Sequence, residues 1–142
     1  MKIRDVMTTE VQTVSPDQTV KEAASFMLNS DTGSIPVRDG GQLIGIITDR
    51  DIAVRGVAEG LGPETAVREL MSEDVVCARD DDEVSTVARR MSEAQVRRLP
   101  VLNADGNLVG IVSLGDLSRE ASDVAASRAL EGISAAGGQH QQ

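Results

Sequence analysis

Gly45-Ile46-Ile47-Thr48-Asp49-Arg50-Asp51-Ile52 and Gly110-Ile111-Val112-Ser113-Leu114-Gly115-Asp116-Leu117 decide how this chain is read. In each, a glycine opens an apolar run rich in β-branched residues, which hands over to a hydroxyl residue with an aspartate three places later. That pattern predicts a strand entering a helix. The hydroxyl can cap the first turn, whose unpaired N–H groups and positive dipole end also offer a seat for a phosphate or other anion. Two such seats predict two related ligand sites.

The duplication reaches far beyond these two octads. A shift of 64 pairs Arg4 with Arg68, Met7 with Met71, Val11 with Val75, Val20 with Val84, Ala24 with Ala88, Met27 with Met91, Pro36 with Pro100 and Val37 with Val101. After one inserted residue in a turn the shift becomes 65, pairing Leu43 with Leu108, Gly45 with Gly110, Ile46 with Ile111 and Asp51 with Asp116. A whole folding unit is therefore written twice. The division is repeat 1 over 1–60, a linker over 61–66, repeat 2 over 67–122, and a helical extension with a disordered tail over 123–142.

Each repeat opens with a short helical turn, Ile3 to Met7 or Val67 to Met71, followed by a brief extended segment. Ser15-Pro16-Asp17-Gln18 has the form of a helix start, with Ser15 as cap, Pro16 in the first turn and Gln18 closing a capping box. Val20, Ala23, Ala24 and Met27 form the predicted buried stripe, repeated as Val84, Val87, Ala88 and Met91, while the acidic run Asp80 to Glu83 suits a helix start. Two hairpins follow: Ser34–Arg38 with Gln42–Thr48 through Asp39-Gly40-Gly41, and Arg98–Leu102 with Leu108–Ser113 through Asn103 to Asn107. The last helix of repeat 1 runs from about Asp49 to the breaker Gly60-Leu61-Gly62-Pro63. That of repeat 2 is expected to reach Leu130 or Ile133. His140, in the tail, has no neighbours that would make it a ligand.

Composition narrows the function. The chain has 142 residues, 40% hydrophobic and 26% charged, ordinary for a soluble globular protein, with no apolar run near the ~20 residues of a membrane span. Met1-Lys2-Ile3-Arg4-Asp5 is not followed by an apolar signal region, so cytoplasmic residence is expected. A net charge of −9 argues against broad nucleic-acid or anionic-membrane binding, and Phe26 is the only aromatic on which a base could stack. The one cysteine, Cys77, is read as a small buried strand residue. Met7, Met27, Met71 and Met91 recur at equivalent positions, which favours core packing over metal chemistry. No metal site is expected. Gly45 and Gly110 are read as positions of close approach or bulges, without the pattern of a nucleotide hydrolase.

The order of helical turn, strand, helix, strand, strand, helix, written twice, with Ile35-Pro36-Val37 and Leu99-Pro100-Val101 ahead of the hydroxyl-x-x-Asp motifs, resembles a tandem pair of CBS domains. Such a pair is often called a Bateman module, here of the small stand-alone type found in bacteria. The resemblance covers Ile3 to about Glu120. It implies an α/β (α+β) fold of two repeats packed through their sheets with pseudo-twofold symmetry. It further implies clefts between them that accept AMP, ADP, ATP, S-adenosylmethionine or other nucleotides. By that resemblance Asp51 and Asp116 would take the ribose hydroxyls, and Thr48 and Ser113, with Arg97 and Arg98, the phosphate. The base slot would draw on Thr13, Val14, Ile35, Pro36, Val76, Cys77, Leu99 and Pro100. A homodimer acting on an unidentified effector protein, with no cofactor beyond the regulatory adenosyl ligand, is what the family implies.

Two readings stay open from the residues alone. Thr48-x-x-Asp51 and Ser113-x-x-Asp116 are also capping boxes, in which hydroxyl and carboxylate satisfy their own helix. The rival to an adenosyl-binding regulatory module is thus a ligand-free structural or interaction dimer. An enzyme is not expected, since no histidine stands beside a nucleophile and the aspartates belong to separate repeats. The halves also differ: Gly33-Ser34 of repeat 1 aligns with Arg97-Arg98, and Asp49-Arg50 with Leu114-Gly115, which predicts two unequal sites. Arginines that are solvated, or that pair with nearby carboxylates, are the other reading, an exposed pair being worth only ~0–1 kcal/mol.

Overall fold

A computed structural model describes residues 1–120. Beyond three short 3-10 turns (Ile3–Asp5, Val57–Glu59 and Val67–Glu69) and a π-helical segment (Asp51–Gly56), its elements are α1 (Val20–Ser30), β1 (Ser34–Asp39), β2 (Gln42–Thr48), β3 (Ala78–Arg79), α2 (Val84–Ala94), β4 (Arg98–Leu102), β5 (Leu108–Ser113) and α3 (Leu114–Glu120). The predicted extension to Leu130 or Ile133, the tail and His140 lie outside the described residues. The described chain forms two compact units: an inner one, Gln12–Val75, and an outer one made of Met1–Val11 and the described residues from Val76 onward.

These units are not the two repeats, because the repeats exchange their leading turns. Ile3–Asp5 opens repeat 1 but belongs to the outer unit, and Val67–Glu69 opens repeat 2 but belongs to the inner one. Apolar burial drives both placements. Ile3 (0% exposed) enters a core with Val87, Met91, Leu99 and Leu117, while Val67 (0%) and Leu70 (2%) enter the one with Val20, Ile35 and Ile47. The backbone fixes the same register in each: Ile3 N–H donates to Asp82 O at 3.0 Å, and Val67 N–H to Gln18 O at 2.8 Å.

Each unit carries one sheet built to a common plan. In the inner unit β1 and β2 are antiparallel, Val14 lies parallel to Val37, and Ser72 pairs with Ile46 on the far edge. In the outer unit β3 is parallel to β4, β4 antiparallel to β5, and Thr8 pairs with Ile111. The edge pairs are reciprocal, with both N–H···O distances 2.9 Å at Thr8–Ile111 and at Ser72–Ile46. They come so close that only glycine fits opposite. A Cβ on Gly45 would stand 2.7 Å from Ser72 O, and one on Gly110 2.6 Å from Met7 Sδ and 2.9 Å from Thr8 O. The close approach expected at Gly45 and Gly110 is thus made by the exchanged segments.

Both hairpins form as the turn residues predict. Gly40 and Gly41, at φ 58° and 89°, close the first with the two positive values a tight two-residue loop needs. In the second, the Asn103 side chain accepts from the N–H groups of Asp105 and Asn107, both at 3.0 Å, and the longer loop accounts for the change of shift. A bulge breaks the register between Val37 and Arg38 and again between Val101 and Leu102.

Two expectations are corrected. Ser15 does not cap α1: Ser15 N–H donates to Gln18 Oε1 at 2.9 Å in a turn whose Pro16 carbonyl receives Arg68 N–H at 3.0 Å. The helix begins after Thr19, whose hydroxyl accepts from Glu22 N–H at 3.1 Å while Thr19 N–H donates to Glu22 at 3.3 Å. The earlier Ser-x-x-Gln is committed to docking the exchanged turn, and the later Thr-x-x-Glu caps. Ala24 is the second correction, since it is exposed whereas its counterpart Ala88 is buried. It lines an apolar groove of about 270 Å³ with Ile52, Gly56, Val57, Leu61 and Pro63.

Glu83 stands where Thr19 does but makes no side-chain cap, pairing instead with Lys2 Nζ at 2.8 Å. Its hydrogen bond from Lys2 and that ammonium charge hold its carboxyl below the usual value. A lowered carboxylate contributes stability above the ordinary value of 4.5 that is lost as pH falls through the folded value. Glu83→Gln is therefore expected to lower the unfolding free energy at neutral pH and to leave it unchanged well below 4.5, in urea titrations across that range. Gly110→Ala, which sets a Cβ against Met7 and Thr8, is expected to cost about 1–3 kcal/mol by the same measurement.

Candidate functional site

The site in each unit grows from the end of the hairpin. The apolar strand β2 ends at Thr48, and Ser34 of β1 lies opposite it; β5 ends at Ser113, opposite Arg98 of β4. The chain then turns into a helix, α3 in the outer unit and, in the inner unit, one that begins at Asp49 and winds in the wider π manner over Asp51–Gly56. Asp51 N–H donates to Thr48 Oγ1 at 3.0 Å, and Thr48 N–H to Asp51 Oδ2 at 3.0 Å. The same reciprocal pair recurs at Asp116 N–H to Ser113 Oγ (3.2 Å) and Ser113 N–H to Asp116 Oδ2 (3.0 Å).

Both motifs are therefore capping boxes in fact. Capping does not exhaust them, because an ionised carboxylate has about four acceptor positions and each cap takes one. The box also fixes the side-chain rotamer of the aspartate at the mouth of a helix. Asp116 is buried, at 8% exposure, and Asp51 is half-buried with Oδ1 3.8 Å from Arg55 Nη1. Arg55 also donates to Met71 O at 3.4 Å, so the exchanged segment reaches the edge of the inner site.

The remaining candidates divide cleanly between the units. Thr13, Val14, Ile35 and Pro36 stay with Thr48 and Asp51; Val76, Cys77, Leu99 and Pro100 stay with Ser113 and Asp116. Val14 N–H donates to Pro36 O at 3.1 Å, which joins the extended segment to the proline strand. The side chains of Val14, Ile35 and Leu99 are core residues at 1–2% exposure, so what they can offer a base is main chain. Val76 is exposed, and Cys77, expected to be a buried strand residue, is instead half-buried and stands just before β3, its carbonyl taking Arg90 Nη1 at 2.7 Å. Burial pushes the Cys77 thiol up, against the opposing Arg90 charge, which makes it a poor nucleophile at neutral pH.

The two sites differ at one contacting pair. Asp49 N–H donates to Gly33 O at 2.9 Å, and its counterpart Leu114 N–H to Arg97 O at 3.0 Å. In the inner unit the Asp49 carboxylate lies over Gly33, where a Cβ would stand 2.9 Å from Oδ2, and Oδ1 accepts from Arg50 N–H at 2.8 Å. In the outer unit Leu114 is buried and carries no charge. The sequence signalled the substitution but not that the two positions touch. It also gave no place near the sites to Met7, Thr8, Met71 and Ser72, which only the exchange of leading turns brings there. Among the described residues no group of three His, Cys, Asp or Glu side chains could hold a metal, and no helix is long and apolar enough to cross a membrane.

Comparison with known proteins agrees with this geometry. The CBS domain family matches residues 3–56 and again 67–123. The CBS domain-containing protein YhcV of Bacillus subtilis is 45% identical over 133 residues, spanning 93% of this chain and 94% of its own. The CBS domain pair of protein MJ0100, solved with 5′-methylthioadenosine and S-adenosyl-L-methionine, superposes with a TM-score of 0.70 at 30% identity, covering 84% of this chain and 94% of that one. CBSX2 in complex with AMP does so at 0.73 and 27%, covering 83% and 93%. With its two hydroxyl-x-x-Asp sites, its duplicated hairpins and these relatives, the chain belongs to the CBS domain family and carries two CBS domains in tandem.

Proposed function

We propose that this protein is a non-catalytic regulatory module that binds adenine nucleotides or related adenosyl compounds at its two hydroxyl-x-x-Asp sites. Occupancy is signalled through a change of conformation or of dimer arrangement. The observation that carries this reading is the duplicated capped aspartate, Asp51 and Asp116, each held at a helix start by the same reciprocal pair of hydrogen bonds. AMP, 5′-methylthioadenosine and S-adenosylmethionine in structural neighbours support the adenosyl class. In this reading the two carboxylates accept from the ribose hydroxyls. Thr48 and Ser113 meet the 5′ group, joined by Arg97 and Arg98 in the outer unit, and the base lies along the backbone around Val14-Pro36 or Cys77-Pro100. With AMP or ATP as ligand the module would report the energy state of the cell.

The same reading takes the protein as a homodimer that passes occupancy to an effector protein. Support comes from apolar side chains left exposed on the inner unit: Val57 (70%) and Leu61 (44%) at the groove beside Ala24, and Leu28 (82%) one helical turn further along α1. A second copy of the chain is the proposed occupant of that face. The completeness of the capping boxes favours one alternative, an interaction dimer with no ligand.

Two measurements separate these. Mass spectrometry of small molecules released on denaturing the purified protein is expected to find an adenosyl compound, and that compound at ~100 Kd is expected to stabilise the fold by about 2.7 kcal/mol. Neither release nor a thermal shift across AMP, ATP, 5′-methylthioadenosine and S-adenosylmethionine would leave the interaction dimer. Asp51→Asn and Asp116→Asn keep an acceptor for the cap and are expected to weaken the ligand by roughly 1.5–3 kcal/mol with little loss of stability. The alanine variants should in addition cost about 1 kcal/mol of folding free energy, as a lost cap does.

A further inference from the structure

We infer that the two sites select opposite charge at the 5′ position of an adenosyl ligand, the inner site taking an uncharged or cationic group and the outer site an anionic phosphate. This rests on the adenosyl reading above and adds to it which ligand each site takes. The comparison is between superimposable positions, because the N–H of residue 49 or 114 bonds the carbonyl of residue 33 or 97 in the same way in both units. What differs is the chemistry placed there.

In the inner unit the absence of a side chain at Gly33 leaves room for the Asp49 carboxylate, and the bond from Arg50 N–H holds it beside the turn that Thr48 begins. Asp49 and Arg50 are both exposed, and it is the bond from Arg50 N–H that holds the Asp49 carboxylate in place. Arg55, the other nearby cation, lies 3.8 Å from Asp51 Oδ1 on the ribose side. A phosphate next to Thr48 would thus meet a fixed carboxylate, whereas a thioether would not and a sulfonium would gain from it. In the outer unit Leu114 turns into the core, Gly115 follows with no charge, and Arg98 stands across the ladder from Ser113 with Arg97 just before it. Guanidinium is the side chain best matched to phosphate oxygens. The field of each unit acts in the same sense: the inner unit has five Lys and Arg against eleven Asp and Glu, and the outer, over its described residues, eight against ten.

Calorimetric titration of the full chain with AMP and with 5′-methylthioadenosine tests this, using Asp116→Asn to leave the inner site and Asp51→Asn to leave the outer one. The inner site is expected to favour 5′-methylthioadenosine and the outer site AMP, each by roughly tenfold or more, the scale of one charge contact a few ångströms away. Asp49→Asn should raise AMP affinity at the inner site and leave 5′-methylthioadenosine unchanged. Arg97→Gln with Arg98→Gln should lower AMP affinity at the outer site alone. The same ratio of affinities at both sites, or no response of that ratio to Asp49→Asn, overturns the inference while the adenosyl reading stands. Absence of binding by either compound to the unsubstituted protein overturns both.

Discussion

The structure depends on a pair of backbone contacts, Thr8 against Ile111 and Ser72 against Ile46, that add the leading segment of each repeat to the sheet of the other. Each contact is possible because a glycine faces it with no Cβ. Each also delivers a hydrophobic turn, Ile3 and Val6 or Val67 and Leu70, into a core that would otherwise open to water on that side. The burial of two such side chains is worth roughly 1.5–3 kcal/mol apiece, which outweighs the modest net gain from the hydrogen bonds that set their register. The bonds choose the position and the apolar surface holds it.

From that frame the sites follow with little further design. A strand completed on both edges ends at a fixed point, and the residue at its end is a hydroxyl whose first duty is to start a helix. The aspartate three positions on closes the box. Stability and ligand chemistry therefore share the same atoms, and any ligand that uses the carboxylate meets a group already ordered by its cap, so little rotamer entropy is lost on binding.

Much of this was legible in the residues. The double copy, both hairpins, the glycine contacts and the boxes at Thr48 and Ser113 were all readable because they rest on local rules of turn, cap and spacing. The exchange was not. Ile3-Arg4-Asp5-Val6-Met7 and Val67-Arg68-Glu69-Leu70-Met71 are so alike that either could dock on either unit, and only the path of the chain decides between them. The start of α1 is hidden for a related reason: Ser15-x-x-Gln18 and Thr19-x-x-Glu22 carry the same signal, and the first is taken up by Arg68 from the exchanged turn. Ala24 differs from Ala88 because burial there depends on a neighbouring helix that packs closely in one unit and leaves a groove in the other. The contact of Asp49 with Gly33 depends on two segments meeting across a hairpin, which spacing alone does not report.

The exchange also sets an order of events during synthesis. Every residue of the inner unit lies in one continuous stretch, Gln12–Val75, so its core can close once that stretch has left the ribosome. The outer unit joins Ile3 to Asp82 and Thr8 to Ile111, and must wait for nearly the whole described chain while its first eleven residues stay exposed. Two halves of one design thus differ in contact order, and the half that holds the beginning of the chain is the one that folds last.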